Sequence, residues 1–334
     1  MTIDVVSYGL GPIGCGIADC LLGRQNLRIV GAVDTDPAKV GRELGELLDG
    51  AGTTGVVVTD NPARALVADM GGVVVHATSS KLHAVASQLE DIVARGWNVV
   101  STCEELSWPR SVDADITKTL DARAKKADVS ILGSGINPGF LMDSLVVVLT
   151  SACTRVDAVR VRRIVDTNKR RTPLQKKVGV GMTQEEFERL AAEHSLGHVG
   201  LVQSAHMIAD RLGWKLTDYE EILKPSVAEH ETETGLGVVP AGGVLGQRQV
   251  AVGRVGDREV IRYELDMVAG GKAIDAISIE GEPPIRQVIE GGVDGDVGTE
   301  AIIANLVRVV AEARPGLLTM MDVMPFACDN LPAH

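Results

Sequence analysis

The sequence has little of what a nucleic-acid-binding protein needs. Aromatic residues make up only 3% of the 334 residues, and the formal net charge is -12. No lysine and arginine run is interleaved with aromatic residues, and the one short basic run covers residues 169–171. A chain of this charge would repel a polyanion, so we expect no nucleic acid partner.

Long hydrophobic runs are also missing. The longest apolar stretches, such as 73–75 and 145–149, are far shorter than the roughly 18 residues that suggest a membrane-spanning helix. The N-terminal residues MTIDVVSYG lead directly into a strand pattern. They lack the basic segment followed by an apolar segment that an export signal has. We therefore expect no membrane span and a cytoplasmic location.

Cysteine is too sparse and too irregular to form a framework. The five cysteines are odd in number and contain no C-x-x-C pair, which argues against both a disulfide network and a zinc site. His194, His198 and His206 lie near one another, but no Asp, Glu or Cys stands at ligand spacing from them. No metal site is predicted.

The strongest positive signal is a glycine-rich turn near the N-terminus. Gly9, Gly11 and Gly14 form a G-x-G-x-x-G pattern, with Pro12 and Ile13 inside it, directly after the apolar run 3–8. Such glycines permit a tight turn, a close approach to a pyrophosphate and helix packing on the strand. The pattern predicts dinucleotide binding, since a lone structural glycine turn would not need the acidic residue that follows.

That acidic residue is Asp34, which ends the second apolar run and can hold the hydroxyl groups of the adenosine ribose. Asp34 favours NAD because its charge repels a 2'-phosphate. Lys39 follows closely and could neutralise that phosphate if the loop curls inward. NAD and NADP both remain open as cofactors.

The order of apolar runs predicts the fold class. Six short apolar runs alternate with helical patterns, which is typical of parallel β-α-β units. These runs are residues 3–8, 28–33, 56–59, 73–78, 98–101 and 129–132. Longer strand-like runs with glycine-rich turns follow from residue 155, and an amphipathic helix covers 298–313. We predict an α/β protein with a Rossmann domain (1–140), a second α+β domain on a mostly antiparallel sheet (141–296), and a C-terminal helix and tail (297–334) returning to the first domain.

Polar residues follow the fourth and sixth runs. Thr78, Ser79 and Ser80 could line the cofactor, although a serine here could equally cap the next helix. The loop 133–140 carries three glycines and a proline, and its Asn137 could bind the nicotinamide carboxamide or ribose. An ordinary connection between domains is the alternative for this loop.

Two adjacent carboxylates, Glu104 and Glu105, follow the fifth run in the segment NVVSTCEEL. A carboxylate beside a nicotinamide can act in general acid-base catalysis or stabilise a cation. Both glutamates could instead form the acidic first turn of a short helix. Adjacent side chains point in different directions, so the pattern favours one catalytic residue at most without choosing it.

These segments carry a family resemblance. The chain resembles the 2,4-diaminopentanoate dehydrogenases and native amine dehydrogenases, which share the two-domain architecture of dihydrodipicolinate reductase. The segments that carry the resemblance are GLGPIG, VVSTCEEL, GSGINPGFLMD and the tail GTEAIIANLVRVVAEARPGLLTM. The resemblance implies NAD(P)-dependent, reversible oxidative deamination of a small amine to a ketone or aldehyde and ammonia. It assigns proton transfer and iminium stabilisation to Glu104, and leaves Glu105 as a structural neighbour. It also implies a homodimer through the second-domain sheet.

The resemblance leaves the substrate open. The paired-histidine stretch and the Pro-Ser-Gly-Thr turn of dihydrodipicolinate reductase are missing, so a dicarboxylate imine is disfavoured. The predicted substrate-binding residues are Phe140, Leu141, Met142, Arg163, Asn168, Gln175 and His198. A diaminopentanoate-like amino acid and a simple alkyl amine are both possible substrates. A dinucleotide-binding sensor without turnover is the alternative from another functional class.

Overall fold

The computed structural model describes residues 2–49, 51–67 and 71–328. The chain forms two compact units, Met1–Ser144 with Asp294–His334, and Leu145–Val293. Residues 329–334 of the predicted C-terminal tail lie outside the described residues. Within the described ranges, no helix is both long enough and apolar enough to cross a membrane.

The first unit begins with alternating strands and helices. Their bounds are β1 (Ile3–Tyr8), α1 (Pro12–Leu21), β2 (Leu27–Val33), β3 (Val58–Thr59), α2 (Pro62–Ala65), β4 (Val73–His76), α3 (Leu82–Ala94), β5 (Asn98–Ser101), α4 (Ala114–Ala127) and β6 (Ser130–Gly133). The strands are fully parallel in the order β6-β5-β4-β1-β2-β3. The strand order reverses between β1 and β4, which is where parallel sheets of this type bind ligands.

Short apolar runs form these strands because both faces of the sheet are buried. On one face, three strand valines and three residues of the helices α3 and α4 belong to a single core cluster. These residues are Val6, Val74 and Val99 of the strands, and Val85, Leu89 and Leu120 of the helices. All six side chains are completely buried. The helix pattern and the strand pattern therefore meet in one core.

The second unit consists of a six-stranded sheet, a two-stranded ribbon and short helices. Its elements are α5 (Ser144–Thr150), β7 (Arg155–Asp166), α6 (Thr172–Lys177), α7 (Gln184–Ala192), α8 (Leu201–Arg211), β8 (Asp218–Val227), β9 (Thr232–Thr234), β10 (Gly237–Val239), β11 (Val244–Val255), β12 (Arg258–Val268), β13 (Ile274–Glu282) and β14 (Ile285–Glu290). The sheet order is β14-β13-β7-β12-β11-β8, and only the β7–β12 pairing is parallel. The predicted mostly antiparallel sheet is confirmed.

The chain then returns to the first unit through α9 (Gly295–Ala311), β15 (Gly316–Leu318) and α10 (Met320–Val323). Asp294 caps α9, and its carboxylate accepts hydrogen bonds from the amides of Asp296 and Val297. α9 packs against α1 and against β4, β5 and β6. β15 pairs in parallel with β6 and becomes the seventh strand of the sheet. The predicted Rossmann-type fold class, including the returning helix, is confirmed.

Candidate active site

The candidate site lies in the first unit, where β1, β4, β5 and β6 end. Because the strands are parallel and adjacent, the segments that follow them reach the same edge of the sheet. These segments are the glycine turn 9–14, the residues 77–81, the turn 102–107 and the loop 134–140. They contain every cofactor and catalytic residue predicted from the sequence except Asp34 and Lys39, which follow β2.

The glycine turn fits a dinucleotide. Gly9 has φ +92°, and a side chain there would place Cβ 2.5 Å from the carbonyl oxygen of Ala77. A Cβ on Gly14 would lie 1.9 Å from the carbonyl oxygen of Gly9, so both positions exclude any larger residue. Gly11 precedes α1 with no side-chain cap, and a Cβ there would meet nothing within 4 Å. Open space at an uncapped helix N-terminus, beside Pro12 and Ile13, suits a pyrophosphate.

Asp34 is held by its own loop. Its Oδ2 accepts from the Leu10 amide at 2.7 Å, and its Oδ1 accepts from the Asp36 amide at 2.8 Å. Partial burial would raise the pKa of Asp34, but these amides and the charge of Lys39 outweigh it and lower the pKa below its usual value. Lys39 Nζ lies 3.4 Å from the carboxylates of both Asp34 and Asp36. The carboxylate is thus ionised and beside a cation.

The hydroxyl groups after β4 already have protein partners. Thr78 donates to Oε1 of Gln88 at 2.8 Å, and Ser79 accepts from the Lys81 amide at 3.2 Å. The carbonyl of Ser80 accepts from the amide of Glu105 at 3.2 Å. The expected serine cap of α3 is wrong, because Lys81 is the N-cap residue and its side chain makes no cap hydrogen bond; the bond from Ser79 reaches only the amide of Lys81 itself.

Glu104 and Glu105 differ in their surroundings. Both lie in the 3-10 turn Glu104–Ser107 directly after β5. Glu105 accepts from Lys81 Nζ at 2.9 Å through one oxygen and from the Leu82 amide at 2.7 Å through the other. Glu105 thus joins the turn to the first residue of α3, in line with the expected structural role. Glu104 is half-buried, and its carbonyl accepts from Ser107 Oγ at 2.7 Å.

The position of this turn depends on Gly133. A Cβ on Gly133 would lie 2.5 Å from the carbonyl carbon of Leu106 and 2.7 Å from the amide nitrogen of Ser107. The end of β6 therefore packs directly on the backbone of the turn that carries Glu104. Cys103, just before the turn, is fully buried, and burial raises the pKa of its thiol to about 12. That thiol stays protonated at neutral pH and is no nucleophile.

The loop 134–140 is braced by its own polar groups. The Gly139 amide donates to Asp143 Oδ2 at 2.8 Å, and the Gly139 carbonyl accepts from Ser144 Oγ at 2.7 Å. Asn137 is 8% exposed and precedes a cis proline. Phe140 is half-buried, and its ring meets that of Phe326 at 6.2 Å in an edge-on arrangement.

The other predicted substrate-binding residues have varied surroundings. Leu141 and Met142 are buried in the first unit. In the second unit, Asn168 is exposed and accepts from the Gly235 amide, and Gln175 is buried and donates to the Arg170 carbonyl. The backbone amide and carbonyl of His198 are both bound by the side-chain amide of Gln249.

Arg163 is only 4% exposed and is held inside the second unit. It donates to Asp275 Oδ1 at 2.9 Å and to the Val293 carbonyl at 2.8 Å. Burial raises the pKa of Asp275, and the charge of Arg163 counteracts part of that rise. In this geometry Arg163 is a structural ion-pair partner.

A polar cluster around the buried side chains of His76 and Ser101, at the ends of β4 and β5, was not predicted. His76 Nδ1 lies 2.9 Å from Ser101 Oγ, and His76 Nε2 lies 2.7 Å from Gln88 Oε1. Burial lowers the pKa of His76 to about 4, although the bond to Gln88 opposes the shift. The signal in the sequence was a histidine that ends an apolar strand. Within the described residues, no group of three or more His, Cys, Asp or Glu could hold a metal ion.

Comparisons with known proteins agree on one group. A family model described as the 2,4-diaminopentanoate dehydrogenase C-terminal domain matches residues 140–330. The chain is 32% identical over 330 residues to the 2,4-diaminopentanoate dehydrogenase of Acetoanaerobium sticklandii, a match that covers 96% of this chain and 93% of the relative.

Two solved structures are also similar to the chain. An amine dehydrogenase from Mycobacterium smegmatis matches with a TM-score of 0.85 and 25% identity, over 100% of this chain and 98% of that one. A dihydrodipicolinate reductase from Paenisporosarcina sp. TG-14 matches with a TM-score of 0.55 and 14% identity, over 97% of this chain and 100% of that one, which shows likeness of fold.

Proposed function

Because the chain belongs to the 2,4-diaminopentanoate dehydrogenase family, we propose that it catalyses the reversible, nicotinamide-dependent oxidation of a primary amine to a carbonyl compound and ammonia. It is an oxidoreductase that acts on CH–NH2 groups. The observation that carries the proposal is the position of Glu104, in the turn directly after β5, at the sheet edge where the dinucleotide-binding segments after β1 and β4 also end.

The cofactor would be held by the chain in three places. The pyrophosphate would lie at the N-terminus of α1, against Gly9, Gly11, Pro12, Ile13 and Gly14, where the space beside Gly11 is open. Asp34 would bind the adenosine ribose. Thr78, Ser79, Ser80 and Asn137 would contact the nicotinamide half. Bound nicotinamide, when oxidised, supplies the acceptor for the hydride that leaves the amine-bearing carbon.

Glu104 would move the protons of the reaction. In the oxidative direction, its carboxylate takes a proton from the substrate ammonium, and the neutral amine can then lose hydride from its carbon. Glu104 passes that proton to solvent before the hydride leaves, so its restored negative charge stabilises the resulting iminium cation. Glu104 then assists attack by water by accepting one of its protons, and returns a proton to the departing ammonia. General acid-base assistance of this kind contributes about 10²–10⁴-fold to a rate.

A matched pair of variants tests this role. Glu104→Gln should lower kcat about a hundredfold or more and leave the affinity for NADH or NADPH nearly unchanged. Glu105→Gln removes the neighbouring carboxylate, which holds Lys81 and the Leu82 amide, so it should lower thermal stability and spare kcat. Reduction of NAD or NADP is followed by absorbance with a panel of amines. Equal kcat losses in the two variants would refute the assignment.

Two classes of substrate fit the proposed reaction. The resemblance to a 2,4-diaminopentanoate dehydrogenase supports an amino-acid substrate with a second amine, and the likeness to an amine dehydrogenase structure supports a simple alkyl amine. Phe140 is a half-buried aromatic residue at the end of the loop that follows β6, so we place the substrate beside it. Turnover assays separate the two classes. The substrates to compare are 2,4-diaminopentanoate, cyclohexylamine and pentylamine, each with NAD and with NADP.

A non-catalytic sensor is distinguished by the same assay. Such a protein would bind NADH or NADPH but consume neither in the presence of ammonia and a range of ketones and aldehydes. The carboxylate of Glu104 in the turn after β5 favours the enzyme. Cofactor binding without turnover on the whole panel would favour the sensor.

We also propose a homodimer through the open face of the six-stranded sheet. On this face β8, β11, β12 and β7 align Ile222, Val250, Glu264 and Arg162 in one row. Ile222 is 40% exposed, and so is Val288 on the other edge strand. Ion pairs such as Arg248–Asp266 and Arg160–Glu280 cover the neighbouring rows. Exposed apolar side chains on the two edge strands, with paired charges between them, suit a second copy of the same surface.

A further inference from the structure

Four side chains form a continuous polar cluster between the ends of β4 and β5. His76 is the last residue of β4 and Ser101 the last residue of β5, and both are completely buried. Gln88 comes from α3 and Thr78 from the segment after β4. The cluster therefore joins two strand ends and one helix through side chains that are far apart in the sequence.

The orientation of the Gln88 amide sets the tautomer of His76. With Oε1 of Gln88 facing the ring as the acceptor, His76 Nε2 carries the proton and donates it at 2.7 Å, and Thr78 Oγ1 lies 3.1 Å from the same ring nitrogen. His76 Nδ1 is then the acceptor in the neutral ring, and Ser101 Oγ donates to it at 2.9 Å. Ser101 Oγ accepts in turn from the Cys103 amide at 3.1 Å. On the other side, Thr78 Oγ1 donates to Gln88 Oε1 at 2.8 Å.

The two ends of this chain of bonds are parts of the candidate site. The Cys103 amide belongs to the residue immediately before Glu104, and Cys103 is the residue from which the 3-10 turn of Glu104 starts. Thr78 belongs to the predicted cofactor-binding residues. Main-chain bonds run parallel to the side-chain cluster, since the Thr102 amide donates to the His76 carbonyl at 2.9 Å.

We propose that His76 is a positioning residue that fixes the turn carrying Glu104 relative to the cofactor segment carrying Thr78. This inference rests on the proposed function in one respect, the catalytic role of Glu104. An apolar side chain at position 76 would fill the space but would leave Ser101 Oγ–H and Gln88 Oε1 without their ring partner. His76 and Ser101 are the buried members of the cluster, and a buried pair whose hydrogen bonds are all made imposes one geometry, whereas a partly satisfied pair does not.

The surroundings of His76 keep its ring neutral, which the bond directions require. Tyr8 packs on it with ring centroids 5.4 Å apart. Gln88, Thr78 and Ser101, its polar neighbours, are uncharged at neutral pH. Burial lowers the pKa of His76 to about 4. A protonated ring would donate from Nδ1 and could no longer accept from Ser101.

Four variants test the proposal. His76→Ala removes both ring contacts, and Ser101→Ala removes only the hydroxyl that binds Nδ1 and the Cys103 amide. His76→Asn keeps an acceptor near the position of Nδ1. Val74→Ala is the control, because Val74 is completely buried in the same strand, in the apolar core, and has no part in the cluster. Hydrogen exchange of the peptide covering 102–107, followed by mass spectrometry, reports on the turn without any need for turnover.

His76→Ala and Ser101→Ala should both raise the exchange rate of this peptide and lower kcat by about tenfold or more, with KM for the amine changed less than kcat. His76→Asn should restore most of the protection and most of kcat. Val74→Ala should lower thermal stability and leave exchange of the peptide and kcat, measured well below its unfolding temperature, close to wild type.

The proposal is overturned if His76→Ala and Ser101→Ala resemble Val74→Ala in both measurements, or if a folded His76→Asn is as impaired as His76→Ala. A wild-type protein without turnover on any amine would refute the proposed function instead. The exchange measurement would still decide the positioning role in that case, because it reports on the bond between the Cys103 amide and Ser101.

Discussion

Single side chains set the electrostatic field in which the cofactor would bind. The carboxylate of Asp34 has two backbone amide donors and lies 3.4 Å from Lys39 Nζ. The amides cannot move without the loop, whereas the lysine side chain can turn toward another anion. Lys39 therefore offers a cation to a 2'-phosphate at a position where Asp34 alone would repel it.

We expect Lys39→Ala to raise KM for NADP about tenfold, the effect of losing one charge-assisted hydrogen bond at a partly exposed site. KM for NAD should change much less, because Asp34 is proposed to bind the ribose hydroxyls of that cofactor. Initial rates with both cofactors measure this. Arg42→Ala is the control, since Arg42 lies in the same loop and is paired with Glu46. An equal change for both cofactors would contradict a role in phosphate recognition.

For single residues, the sequence was enough to predict roles that depend on local spacing, but not roles that depend on distant partners. Asp34 and the three glycines were identifiable because their chemistry depends on local spacing. The choice between Glu104 and Glu105 came from family resemblance, because it depends on Lys81 and Leu82, which lie more than twenty positions earlier in the chain. His76 was not identified, because its partners Gln88 and Ser101 come from other elements.

Between elements, the end of β6 lies directly against the turn Glu104–Ser107. This packing is possible only because residue 133 has no side chain. The same sheet edge contains Gly135, where a Cβ would lie 3.5 Å from its nearest neighbour, the Pro138 carbonyl oxygen. Gly133, the last residue of β6, and Gly135, in the loop that follows, thus differ in how much space surrounds them.

This difference gives a matched pair. Gly133→Ala should destabilise the fold by about 1–3 kcal/mol, the usual cost of overpacking. It should also lower kcat on the order of a hundredfold, because the turn that carries Glu104 must shift. Gly135→Ala should cost little in either respect. Thermal unfolding and steady-state rates measure both effects, and a Gly133→Ala enzyme with wild-type kcat would show that the turn tolerates displacement.

Element types were predictable wherever burial on both faces produced a short apolar run. β1 and β5 have the predicted bounds for this reason. β8, β13 and β14 were not predicted, because strands with exposed residues on one face or at the sheet edge mix charged and apolar residues. β15 has three residues, and its extended form depends on pairing with β6, which no local pattern reveals.

For the molecule as a whole, the proposed assembly state rests on the exposed face of the second sheet. We expect a homodimer in solution by light scattering coupled to gel filtration. Ile222→Glu combined with Val288→Glu should shift the protein to a monomer, because each change replaces an exposed apolar side chain of the proposed interface with an unpaired charge. Val238→Glu is the control, since Val238 is 61% exposed on the separate β9–β10 ribbon. A monomeric wild type, or a double variant that remains dimeric, would refute this interface.

The return of α9 and β15 to the first unit has a consequence for synthesis. A ribosome makes the chain from its N-terminus, so six strands of the dinucleotide-binding sheet exist before the second unit has been translated. The seventh strand and the helix that covers α1 arrive only with residues 295–318. Until then one edge and one face of the sheet lack their partners, so the part of the protein made first is the part completed last.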